Sequence, residues 1–142
     1  YIVAVDPGRE KCGLAVLSPE GEVREQRVVS RSELFHHLAG CLQRYGVFQL
    51  VVGDRTGSKE LIAEFDKSPL SERVPPVRRV DEHLSSHEAR LRYFRDHPPR
   101  GWRRLIPRTM LTPAEPYDDY VAVILAERYL AAEQAPDRGK GQ

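Results

Sequence analysis

A chain of 142 residues, with 40% hydrophobic and 30% charged residues, has the size and composition of one folded domain and is too apolar for intrinsic disorder. No apolar run approaches the roughly 18 residues of a membrane span, and two cysteines do not make a disulfide scaffold. The net charge of +1 conceals a choice of cation, since 18 of the 22 basic residues are Arg. Arg presents a planar five-donor fork that matches phosphates and carboxylates, which points to a phosphate-rich partner.

In chain order, Tyr1-Ile2-Val3-Ala4-Val5 is a continuous apolar run, expected to be a strand buried on both faces and ended by the Asp6-Pro7-Gly8 turn. Gly13 to Leu17 predicts a second strand, closed by Pro19-Glu20-Gly21, and the alternating stretch Glu22 to Val29 a third, half-buried one. These three form an expected antiparallel meander. Ser30 or Ser32 is then placed to cap a helix with apolar positions at Leu34, Phe35, Leu38, Leu42 and Tyr45, stopped by Gly46. Phe48 to Val52 predicts a buried strand ending at Gly53-Asp54, followed by a helix from about Ser58 to Asp66 and a loop marked by Pro69, Pro75 and Pro76. Val77 to Val80 predicts a short strand that ends at Asp81-Glu82. Ser85-Ser86-His87-Glu88 has the form of a capping box opening a helix to about Asp96. The segment from 97 to 116 is proline-rich and predicts little regular structure, and the last helix runs from about Asp118 to Ala132.

The expected fold is α/β: one domain over residues 1–133, with a five-stranded mixed sheet flanked by helices and a polar tail over 134–142. Three strands are expected to be antiparallel and two parallel. Cys12 and Cys41 have no metal or disulfide spacing and fit free thiols in a reducing cytoplasm. The opening residues carry no signal-peptide pattern, and the start within an apolar run without Met leads us to expect a further segment before Tyr1.

Acidic residues stop three of the expected strands, at Asp6, Asp54 and Asp81-Glu82, and Asp118 and Asp119 open the last helix. Strand ends of an α/β sheet gather at one edge, where ligands bind. Asp118 shares a helix face with Val121, Ala122 and Leu125, so it should point toward that edge. Hard cations such as Mg²⁺ and Mn²⁺ take carboxylate oxygens, and three converging carboxylates suit two ions about 3.5–4 Å apart that clamp a phosphodiester. Each acid also has a structural explanation: a turn at Asp6, the helix dipole at Asp118 and Asp119, a solvated Glu82.

From Arg90 to Arg108 there are seven arginines, at 90, 92, 95, 100, 103, 104 and 108, with Asp96 as the one acid and Tyr93, Phe94 and Trp102 interleaved. Basic groups among aromatics form a phosphate track with stacking platforms for unpaired bases. The alternative puts Phe94 and Trp102 in the core. His36 and His37 are expected on a helix surface, whereas His83, beside Glu82, is placed to position a water or protonate a leaving group.

The segment Val3-Ala4-Val5-Asp6-Pro7-Gly8-Arg9-Glu10-Lys11-Cys12-Gly13-Leu14-Ala15-Val16 resembles the opening of the YqgF-type nucleases, relatives of the RuvC Holliday junction resolvases with an RNase H-like fold. Leu50-Val51-Val52-Gly53 is similar to that family's fourth strand. Val80-Asp81-Glu82-His83-Leu84-Ser85-Ser86-His87-Glu88-Ala89-Arg90 is similar to its D-E-x-x-S/T-S/T-x-x-A-R signature, and Tyr117 to Leu125 to its final acidic helix. The resemblance implies a two-metal-ion nuclease using Mg²⁺ or Mn²⁺, with catalytic acids at Asp6, Glu82 and Asp118. Asp54, Asp81 and Asp119 are further candidate ligands, and Lys11 and His83 candidate auxiliary groups. The arginine segment itself supplies the expected nucleic-acid surface, at Arg90, Arg92, Arg100, Trp102, Arg103, Arg104 and Arg108. Implied substrates are 16S ribosomal RNA precursors, matured at the 5′ end, and branched DNA or RNA, cut by a monomer or homodimer. Asp54-Arg55 after Gly53 departs from the Leu-Pro common in the family, and His83 stands where many members have Arg. The segment 98–116 is similar to an insert of the cyanobacterial branch. Two other classes fit parts of the pattern: a non-catalytic nucleic-acid adaptor, and an actin-like ATPase suggested by Asp6-x-Gly8 and Gly13, against which the length argues.

Overall fold

The computed structural model describes residues 1–55, 57–83, 85–99, 101, 105 and 117–134. Their strands are β1 (Ile2–Asp6), β2 (Lys11–Leu17), β3 (Val23–Ser30), β4 (Gln49–Gly53) and β5 (Arg78–Val80). The helices are α1 (Leu34–Tyr45), α2 (Ser58–Lys67), α3 (Ser85–Asp96) and α4 (Asp118–Gln134). The strands form one mixed sheet in the order β3-β2-β1-β4-β5. Pairs β3/β2 and β2/β1 are antiparallel, while β1/β4 and β4/β5 are parallel, as the order of strands and helices in the sequence predicts.

Period-two alternation divides the core in two. Val3 and Val5, Leu14 and Val16, and Leu50 and Val52 pack on one face of the sheet against Leu34, Leu38 and Cys41 of α1 and Leu61 and Phe65 of α2. Ile2 and Ala4, Ala15 and Leu17, and Val51 pack on the other face against α3 and α4. β1 lies between β2 and β4 and is buried on both faces, which explains its unbroken apolar sequence. Tyr120 to Ala126 of α4 are buried without interruption, because α4 lies between the sheet and the α3 residues Ala89, Tyr93 and Phe94. Ala4, Ala15 and Ala122 are buried in this layer, and their small side chains suit a close approach of α4 to the sheet.

The expected helix starts differ in chemistry from those observed. Neither Ser30 nor Ser32 caps α1: a 3-10 turn over Arg31–Glu33 precedes it, and the two serine hydroxyls meet each other at 3.4 Å. The capping box at Ser85 is likewise absent. Ser85 is already helical, its amide donates to the Glu82 carbonyl at 2.9 Å, and its buried hydroxyl has no hydrogen-bond partner. Glu88 instead pairs with Arg92 at 2.6 Å and Arg128 at 3.8 Å. Cys12 and Cys41 are buried free thiols, as expected. Among the described residues no helix is long and apolar enough to cross a membrane. The polar tail expected from Gln134 onward lies outside the described residues beyond Gln134 itself, which closes α4.

Candidate functional site

The β1 ladder ends at Asp6 because Pro7 has no amide to continue it. By the same alternation, Asp6 shares with Ala4 the face covered by α3 and α4. Gly13 stands beside it on β2, in register, and Gly53 on β4 follows Val52, the partner of Val5. These two glycines are open seats. A Cβ on Gly13 would lie 1.9 Å from the Asp118 carbonyl oxygen, so its absence lets the first turn of α4 rest on β2. A Cβ on Gly53 would lie 2.3 Å from Cδ and Oε2 of Glu82, so its absence lets that side chain lie across β4. Glu82 reaches this position because Val80, two residues earlier, pairs with Gly53 in the β4/β5 ladder.

The carboxylates gathered this way are poorly solvated. Asp6 is 6% and Glu82 4% exposed. Burial and then the nearby Glu82 carboxylate push Asp6 up to about 8, with Asp118 adding to the rise and Arg55 opposing it. Raised that far, the Asp6 carboxyl keeps its proton near neutral pH. Asp118 is also raised, by burial and then by Asp119, against Arg55 and Lys11. Glu82 Oε2 accepts from the Arg55 amide at 2.9 Å. Glu82 Oε1 is buried and receives no N–H or O–H donor; the Arg55 Nε is 3.6 Å away, an ion-pair rather than hydrogen-bond distance. The Arg55 guanidinium also donates to Ser86 Oγ and is 49% exposed, on the rim of the site.

Of the six acids expected as metal ligands, Asp6 and Glu82 touch, and Asp118 stands near enough to act on Asp6 through its charge. The other three bond to protein groups. Asp54 Oδ1 accepts from the Glu82 amide at 3.2 Å, Asp81 Oδ1 from the His83 amide at 3.0 Å, and Asp119 Oδ2 from Gln26 Nε2 on β3 at 3.1 Å. Among the described residues no three His, Cys, Asp or Glu side chains are gathered tightly enough to hold a metal ion together. His83 and Lys11 are both exposed, Lys11 at the start of β2 where its charge favours ionised Asp118.

The arginine segment is partly accounted for. Arg92 is bound through Nη2 to Glu88 at 2.6 Å and to Glu127 of α4 at 2.8 Å, which ties it to acids within the protein. Arg95 pairs with Asp96 at 3.3 Å, and Arg90 is half-buried on α3. Tyr93 and Phe94 are core residues, not stacking platforms, packed edge to face at 5.3 Å. Arg100, Trp102, Arg103, Arg104 and Arg108 lie outside the described residues.

Arg55, marked in the sequence only as a departure from the family's Leu-Pro, stands at the rim of this site. Beside it opens a cleft of about 270 Å³ whose walls carry Arg55, Lys59 and Arg79 with Asp54 and Glu60. No family model and no curated protein matches the chain. Two buried carboxyls, one with an unpartnered oxygen, are an arrangement that a proton or a hard cation with oxygen ligands would stabilise.

Proposed function

We propose that the protein is a divalent-metal-dependent nuclease of RNase H-like fold, of the YqgF-type family, that hydrolyses phosphodiester bonds in structured RNA or branched nucleic acid. The observation that carries this reading is the Asp6–Glu82 carboxyl pair at adjacent strand ends, with Asp118 alongside. The strand order β3-β2-β1-β4-β5 with a helix laid across β1 and β2 supports the fold assignment. Asp6, Glu82 and Asp118 would hold the Mg²⁺ or Mn²⁺ ions. Ions bound there supply Lewis-acid activation of water and neutralise charge on the scissile phosphate. With ions bound, Asp6 would give up the proton that its raised carboxyl otherwise keeps. Arg55, on the rim, offers its free edge to a neighbouring phosphate.

The decisive experiment incubates the protein with structured RNA and with four-way DNA junctions in Mg²⁺ or Mn²⁺, then in EDTA. Cleavage that needs the metal is the expected result. Failure to cut any of these substrates, or an Asp6→Asn variant that cuts as well as wild type, would show the proposal to be wrong.

Lys59 and Arg79 provide a second test. Together with Arg55 they give the cleft three cations, and phosphate contacts release counterions. Replacing both by alanine should weaken binding similarly for all sequences and reduce the slope of log affinity against log salt by roughly one unit per lost contact. An unchanged slope would mean that nucleic acid does not enter this cleft.

A further inference from the structure

We infer that Asp54 is a positioning residue that sets Glu82 through its backbone, and is not itself a metal ligand. This rests on the reading of Asp6, Glu82 and Asp118 as the metal-holding acids.

The geometry is that of a sheet extended by one residue. In a parallel ladder, a residue donates its amide to one residue of the neighbouring strand and accepts, through its carbonyl, from the residue two further on. The Asp54 amide donates to the Val80 carbonyl at 3.1 Å. Its side-chain Oδ1, in place of a backbone carbonyl, accepts from the Glu82 amide at 3.2 Å. Asp54 thus spans Asp81 from both sides and continues the β4/β5 pairing past the last strand residues, Gly53 and Val80. The following residue completes the hold, because the Arg55 amide donates to Glu82 Oε2 at 2.9 Å. Two consecutive residues at the tip of β4 therefore fix Glu82 at both ends, backbone and carboxylate. Gly53, immediately before them, leaves the volume that the side chain fills. Asp54 is exposed at the rim, while the carboxylate it orients is 4% exposed and turned toward Asp6.

What Asp54 contributes here is an acceptor oxygen, whereas a carboxylate ligand would contribute its charge as well. Asparagine keeps the oxygen and loses the charge, whereas alanine loses both. The probe is Mn²⁺ alone, titrated calorimetrically into wild type, Asp54→Asn and Asp54→Ala, with cleavage of structured RNA measured alongside. Asp54→Asn should bind Mn²⁺ within about threefold of wild type and keep its cleavage rate. Asp54→Ala should lose about tenfold or more in Mn²⁺ affinity, the range seen when a partner that orients a ligand is removed. Amide exchange at Glu82 gives a readout without metal: protected in wild type and Asp54→Asn, faster in Asp54→Ala. Equal losses of Mn²⁺ affinity in both variants would assign the charge, and overturn the inference in favour of a ligand. An Asp54→Ala variant equal to wild type in affinity and exchange would also overturn it. Wild type that binds no Mn²⁺ would instead remove the metal reading on which the inference rests.

Discussion

Asp6→Asn should abolish cleavage and, in the same protein, raise the melting temperature of the metal-free form at pH 8. The two effects have one cause. Asp6 is buried against Glu82 and its carboxyl is pushed up to about 8, so between pH 4 and 8 the folded protein holds a proton that the unfolded chain has released. Stability therefore falls as pH rises through that window, and is lowest once the folded pair must carry both charges. Asparagine carries no charge, and its amide can donate to Glu82 Oε1, the buried oxygen that has no donor in the wild type. Relief of the pair should amount to about 1–2 kcal/mol after side chains and water adjust, or roughly 3–8 °C in a domain of this size. On the proposed reading Asp6 holds a metal ion, so the loss of cleavage should be at least about a hundredfold. Melting curves of both proteins from pH 5 to 8.5 in EDTA test the first half. The wild type should lose stability with rising pH more steeply than the variant, and Mn²⁺ should remove the difference by taking the place of the proton. Parallel curves would mean that Asp6 is not the group that titrates.

The parts of this site that were legible in the sequence are those fixed by local pattern. Continuous apolar runs announced β1 and β4 as strands covered on both faces, and the acids that stop them announced a polar edge. The face shared by Asp118 with Val121, Ala122 and Leu125 likewise places it toward the sheet, where those three residues are buried. Residue type and spacing did not rank the acids among themselves; only the family resemblance did. Asp54, Asp81 and Asp119 resemble Asp6 and Glu82 in type and spacing, but they are less buried and accept from donors at Glu82, His83 and Gln26. Two of those bonds span long stretches of chain, Asp54 to Glu82 and Gln26 to Asp119, so no local rule reports them.

The arginine segment shows the same limit. Arg92 looked unpaired because the acids near it in sequence are few, yet Glu127 reaches it from α4. Tyr93 and Phe94 sit among arginines in sequence and face α4 in space, since a helix turns neighbouring residues to different sides. Ser85 satisfied the capping-box spacing, but its amide is held by the Glu82 carbonyl and its hydroxyl is enclosed.

The two glycines beside Asp6 separate what holds the fold from what holds the site. Alanine at position 13 would place its Cβ 1.9 Å from the Asp118 carbonyl oxygen and 2.8 Å from the Asp119 amide nitrogen, which are backbone atoms of a helix buried along Tyr120 to Ala126. No rotamer relieves that overlap, so α4 must shift. Gly13→Ala should therefore cost about 2–3 kcal/mol, lower the melting temperature by roughly 6–12 °C, and reduce cleavage by moving Asp118. Alanine at position 53 would overlap Cδ and Oε2 of Glu82, the far end of a side chain. Here the side chain can yield and the backbone can stay. Gly53→Ala should keep its melting temperature within about 3 °C of wild type, yet lose cleavage by about a hundredfold, because an ångström-scale displacement of a positioned group is enough. Moving Glu82 away from Asp6 also removes the largest charge that raises the Asp6 carboxyl, so the pH dependence of melting in EDTA should flatten as it does in Asp6→Asn. A Gly53→Ala variant that melts like Gly13→Ala would show that Glu82 is held too rigidly to yield. One that cuts like wild type would remove Glu82 from the catalytic site.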